Sequence, residues 1–134
     1  MSRNRGSARH WLAAVVVSHL LISFAHGAAH EGARVPLSPA QKLFVYTVIL
    51  AGPLVGLALA WRAQRLGYWV IALTLAGALV FGVVNHFVVA SADHVSHVAV
   101  QWRTLFASTA VLLTATEALG CGLAMFLIRE RSTS

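Results

Sequence analysis

Acidic residues are scarce in this chain: Asp and Glu together number 4 among 134 residues, and charged residues of either sign make up 10%. Soluble domains carry about 25% charged residues and are about 45–50% apolar. Here 58% of the residues are hydrophobic and the mean hydropathy is +0.75, the composition of an integral membrane protein. A lone cysteine, Cys121, excludes an intramolecular disulfide and a CxxC site, so cysteine usage carries no information about compartment. The sequence holds no repeat, no low-complexity tract and no Gly-rich phosphate loop. Paired carboxylates for glycoside chemistry and a Ser-His-Asp signature are absent too, and the acids are too scattered for a hydrolase. Nothing marks the chain as an enzyme.

The net charge of +6 is no footprint of nucleic-acid binding. Most arginines flank the apolar runs, where they set orientation, and Trp11, Trp61, Trp69 and Trp102 stand at run ends as an interfacial belt. The expected partners are the lipid bilayer and either further copies of the chain or a larger membrane complex, with no nucleic acid.

Four apolar runs follow in one domain, residues 1–134, with spans at about 11–29, 39–61, 67–90 and 102–128. The first has two readings. As a retained helix, Trp11 to Ala29 just crosses a ~30 Å hydrocarbon core. As a signal peptide, the basic start, the apolar stretch and the small residues Gly27-Ala28-Ala29 would be cleaved after Ala29. The polar Ser18-His19 in mid-run favours retention. Ser38-Pro39-Ala40-Gln41 is a strong start for the second helix, with Ser38 as cap, Pro39 in the first turn and Gln41 completing a capping box. Gly52-Pro53 should kink this helix, and Arg62-Ala63-Gln64-Arg65 should turn the chain. The expected fold is an all-α membrane protein, an antiparallel four-helix transmembrane bundle with short loops.

Arg3, Arg5, Arg9, Arg62, Arg65, Arg129 and Arg131 fall on one side of such a bundle, and Arg34, Lys42 and Arg103 on the other. With the first span retained, the positive-inside rule puts both termini in the cytoplasm of a protein of the inner membrane. The outer side receives His26, His30 and Glu31, and also the stretch from Asn85 to His97 with His86, Asp93, His94 and His97. Five of the seven histidines and two of the four acids thus gather on one face.

Imidazole suits zinc, copper, nickel and iron, and carboxylate adds a harder oxygen. His26 and His30 at i, i+4 can chelate one ion from one helical face. Asp93-His94-x-x-His97 puts three more donors in one connector. The candidate ligands of a transition-metal ion, copper or zinc, are therefore His26, His30, His86, His94, His97, Asp93 and Glu31. Metal handling, sensing or transport would follow. The plain alternative is interfacial histidines that meet water and a solvated polar connector. A second functional reading puts haem b between His26 and His86, which lie at matched depth, with Arg34, Lys42 or Arg103 at the propionates; against it stands a structural histidine satisfied by a Ser, a Thr or a backbone carbonyl. A third is a non-catalytic accessory subunit of a membrane complex.

Glu117 lies in the middle of the fourth run, where an ionised carboxylate is expensive and pairs toward the bundle interior. The expected partner of this intramembrane polar pair is His19. As functional roles the pair can relay a proton or ion, or support a metal from outside its ligand sphere; as structural ones Glu117 is protonated, or hydrogen-bonded as interhelical glue. Gly120, Cys121 and Ala124 continue the same face with small side chains, which favours close helix packing, and Cys121 reads as a packing residue.

Overall fold

A computed structural model of the chain describes the backbone of residues 2–62 and 65–132 and the side chains of 6–62 and 65–130. The centre of the expected basic turn, Ala63-Gln64, and the side chains of Arg3, Arg5 and Arg131 lie outside the described residues. The described structure is helical, with no strand among the described residues. Four helices are long and apolar enough to cross a membrane. They are α1 (Ser2–Ala33), α2 (Pro39–Trp61), α3 (Arg65–Val88) and α4 (Val100–Ser132).

α1 presents Leu12, Val15, Val16, His19, His26, Ala29 and His30 as its buried face, a spacing of three and four that recurs along one stripe. The helix runs past the apolar stretch to Ala33 and stops at Arg34, the one non-glycine residue at positive φ (55°) among the described residues. There Val35 N–H donates to His30 O at 3.0 Å and Arg34 N–H to Glu31 O at 3.1 Å, a Schellman closure. The closure normally uses Gly, so an arginine in this conformation costs roughly 1–2 kcal/mol. It keeps His30 inside the helix, one turn from His26.

The start of α2 forms as its sequence dictates. Gln41 N–H donates to Ser38 Oγ at 3.2 Å, Ser38 N–H donates to Gln41 Oε1 at 2.8 Å, and Pro39 occupies the first turn. Over Val45–Ala51 the helix widens to a π-turn just before Gly52-Pro53. Pro53 has no N–H, so the Ile49 carbonyl four residues back loses its α-helical donor. His19 fills that vacancy from α1: its Nε2–H donates to Ile49 O at 3.1 Å.

α2 lies close against α3 because glycine faces glycine. A Cβ on Gly67 would stand 2.5 Å from Gly56 O and 2.7 Å from Ala60 Cα, inside any real contact distance. α3 packs on α4, and α4 on α1, whereas α1 and α2 touch sparingly. Two apolar cores result. One joins Leu12 and Val16 of α1, Ala60 of α2, Tyr68, Ile71, Ala72 and Leu75 of α3, and Ala124, Leu127 and Ile128 of α4. Near it Arg9 donates to the Ala60 and Trp61 carbonyls and lies over the Trp61 ring. The smaller core, at the opposite end of α1, joins Ala29, Val98 and Phe106. The buried polar side chains include His19 and Glu117 in mid-bundle and His26, His30, His86, Asp93 and Thr109 around the smaller core.

Candidate metal centre

Three elements carry the site. α1 supplies His26 and His30 from its buried stripe. α3 ends in a second π-turn, Val84–Val88, closed by Val89 N–H to Val84 O at 2.8 Å, and this widened turn carries His86. Such turns recur at functional sites because they re-aim one side chain out of helical register. The connector then folds back over the helix end. Val95 N–H donates to His86 O at 3.0 Å, and the turn at Ser91 buries Asp93.

His26, His30 and His86 each offer a ring nitrogen, and the three nitrogens lie within 4.8 Å of one another. All three side chains are buried. Phe106 forms the floor beneath them, its ring centroid 4.7, 4.8 and 5.2 Å from those of His26, His30 and His86.

The hydrogen-bond partners fix the tautomers. Thr109 Oγ1 spends its own hydrogen on Leu105 O at 2.6 Å, so it accepts from His26 Nδ1–H at 2.8 Å. His86 Nδ1–H faces the Asp93 carbonyl oxygen, an acceptor only, at 3.2 Å. Both neutral rings thus carry their proton on Nδ1 and a lone pair on Nε2. Those two Nε2 atoms face each other at 3.1 Å. Two lone pairs do not attract at that separation; a cation or a proton between them is what makes the arrangement favourable. His30 Nε2 lies 3.3 Å from Asp93 Oδ1, and its Nδ1 is buried without a hydrogen-bond partner.

Asp93 completes the group. Oδ1 is 3.1 Å from His86 Nδ1 as well, but the aligned acceptor for that N–H is the Asp93 main chain, so Oδ1 and Oδ2 are both buried without a hydrogen-bond partner. Burial pushes the Asp93 carboxyl up. The His86 N–H, at hydrogen-bonding distance, and the neighbouring imidazoles outweigh burial and hold it below its usual 3.8. The carboxylate is thus the anion of the site.

The remaining candidates stand elsewhere. His94 Nδ1 hydrogen-bonds with Ser96 Oγ at 2.7 Å, and exposed His97 donates from Nδ1 to Ser91 O at 2.7 Å. The Asp93-His94-x-x-His97 segment is therefore split, with the carboxylate turned inward and both imidazoles outside the cluster. Glu31 is exposed at the mouth of the adjoining cavity. Of the three cations set against haem propionates, Arg103 donates to Val98 O at 3.1 Å through Nη2, Lys42 lines the same cavity, and Arg34 closes α1. Phe106 and the acceptor role of Thr109 escape sequence reasoning. The one available signal is spacing: Phe106, Thr109, Leu113 and Glu117 recur at three to four residues along the buried face of α4.

The cavity, of about 550 Å³, lies between α1 and α2 against α3 and α4. It reaches from the loop residues Val35, Pro36 and Leu37 past His26, His30, His86 and Asp93 to Glu117. His19 Nδ1 and Glu117 Oε1 are 3.8 Å apart, both side chains buried. Comparison with protein-family models, with curated proteins and with solved structures returns no match, so the reading of this site rests on its own geometry.

Proposed function

We propose that this chain is an integral protein of the cytoplasmic membrane that holds one transition-metal ion, zinc or copper, in the His26–His30–His86 cluster. Asp93 serves as a fourth ligand or as the anion that orients the rings. The carrying observation is the opposed pair of Nε2 lone pairs. Two imidazoles bound at 2.0–2.1 Å and at a tetrahedral angle hold their nitrogens about 3.4 Å apart, while two bound trans hold them about 4 Å apart. The 3.1 Å separation is shorter than either and nearer the first. A haem between His26 and His86 needs the second, with a macrocycle in the space where the two rings now touch, so the bis-histidine reading has less support. Each of the two rings also has its other nitrogen committed to an oxygen, the outer-sphere pattern that fixes metal-binding imidazoles.

The membrane reading takes the chain as an antiparallel, up-down-up-down bundle with both termini cytoplasmic. It is supported by large apolar side chains that face outward, Leu21, Phe24 and Leu73 each 66% exposed. A contiguous apolar exterior of this kind is unfavourable in water. Arg9, Arg62, Arg65 and Arg129 then share the cytoplasmic end with the Leu12–Ile128 core, and the metal cluster lies near the outer face.

The test is elemental analysis of the chain purified in detergent after zinc or copper loading and dialysis. The His26→Ala/His86→Ala double variant should lose the ion that the unaltered chain retains. Equal metal content in both would refute the assignment.

A further inference from the structure

The cavity continues past the histidine cluster and ends at Glu117. Beyond that point the bundle is shut. Gly120 is pressed against Leu75, where an added Cβ would come within 2.5 Å of Leu75 Cδ1, and the Leu12–Ile128 core fills the remainder. An ion entering from the loop end can therefore travel inward as far as Glu117 and no farther. Between the cluster and Glu117 stands Gly82. A Cβ built there would be 3.9 Å from His86 Cδ2 and 4.0 Å from Glu117 Oε2, so both groups border one open patch of α3.

Behind Glu117, the last residue to line the cavity, a donor waits without a partner. His19 spends its Nε2–H on Ile49 O, the carbonyl that Pro53 left free, and so its Nδ1 carries a lone pair. Nδ1 is fully buried, has no hydrogen-bond partner, and points at Glu117 Oε1 from 3.8 Å. That gap is too long for a hydrogen bond. It falls between the roughly 3.4 Å and 4 Å expected for two ligands that share one ion at tetrahedral and trans angles. In its ionised form a carboxylate at this depth calls for a compensating charge.

We propose that Glu117 and His19 form a second cation position, at the inner end of the cavity, for a divalent transition-metal ion whose remaining coordination is completed by cavity water. The proposal deepens the metal-binding reading of the same cavity and rests on it for the identity of the cation. It makes the cavity a two-position half-path: an outer, three-histidine position and an inner, carboxylate–imidazole one. With two protein ligands instead of three or four, the inner position is the weaker.

The experiment titrates the purified full-length chain in detergent with Co²⁺, read by its visible absorption, and with Zn²⁺, read by elemental analysis. The unaltered chain should take two equivalents. Glu117→Gln and, separately, His19→Asn should each keep the tighter equivalent and weaken the second by at least about 10-fold. His26→Ala/His86→Ala should keep only the weaker one. An unchanged helical circular dichroism spectrum and an unchanged thermal midpoint of the metal-free chain show that a variant is folded. A single equivalent that Glu117→Gln leaves intact would overturn the inner position and leave the outer one standing. Loss of both equivalents in folded Glu117→Gln would overturn it too, since Glu117 would then belong to the outer site. No binding to the unaltered chain would overturn both readings.

Discussion

Replacing Asp93 by Asn keeps the size of the side chain and removes its charge, which isolates what the carboxylate does for the imidazoles. Oδ1 sits 3.1 Å from His86 Nδ1 and 3.3 Å from His30 Nε2, so one anion polarises two rings. The carboxylate makes those rings better donors and pins their orientation. Outer-sphere changes of this kind cost about 10–100-fold in metal affinity, or roughly 1.4–2.7 kcal/mol. If Asp93 binds the ion directly through its unpartnered Oδ2, the loss will exceed that range. The assay is competition with a chromophoric zinc chelator in detergent at fixed pH and salt. Asp93→Asn should raise the zinc Kd by at least about 10-fold. His94→Ala/His97→Ala should leave it unchanged, since both rings point to other partners. An unchanged Kd in Asp93→Asn, or a loss confined to the His94/His97 variant, would refute the assignment of the connector's roles.

Other expectations bear on the scaffold. Phe106 is fully buried beneath the three rings, so Phe106→Ala should lower stability by about 3–5 kcal/mol and loosen the cluster, seen as a lower thermal midpoint and a weaker Co²⁺ spectrum. A midpoint equal to that of the unaltered chain would count against the floor as described. Gly67→Ala should destabilise the α2–α3 contact, because its Cβ would overlap Gly56 O and Ala60 Cα. Gly77→Ala should be tolerated, its nearest neighbour being Val48 Cγ1 at 3.5 Å; thermal unfolding of the pair decides. On a Cys121→Ala background, single cysteines at Ser38 and Ser96 should react with a membrane-impermeant maleimide from the same side of sealed vesicles, and one at Arg62 from the other. Labelling of Ser38 and Ser96 from opposite sides would end the outer-face reading.

Four long apolar helices are written in composition and run length, because the number of consecutive apolar residues depends on no tertiary contact. The capping box at Ser38 and Gln41 is equally local. The shared face of His19, His26 and His30 follows from a spacing of seven and four on one helix, and all three rings are buried. The approach of His19 to Glu117 follows from depth: two polar groups in mid-run both need the bundle interior.

Other features depend on folding back in three dimensions. The sequence of the connector treats Asp93, His94 and His97 alike, and only the turn at Ser91 under the end of α3 sends the carboxylate inward and leaves the imidazoles outside. Direction of a side chain in a connector has no period, so nothing in the string of residues encodes it. The π-turn that re-aims His86 and the carbonyl of Ile49 released by Pro53 become meaningful only when α1 lies beside them. Phe106 as a floor and Thr109 as the acceptor that sets the His26 tautomer are likewise products of α4 packing on α1. Periodicity in one helix specifies which residues face inward, whereas which inward-facing groups meet, and with which atom, is decided by how the helices are packed.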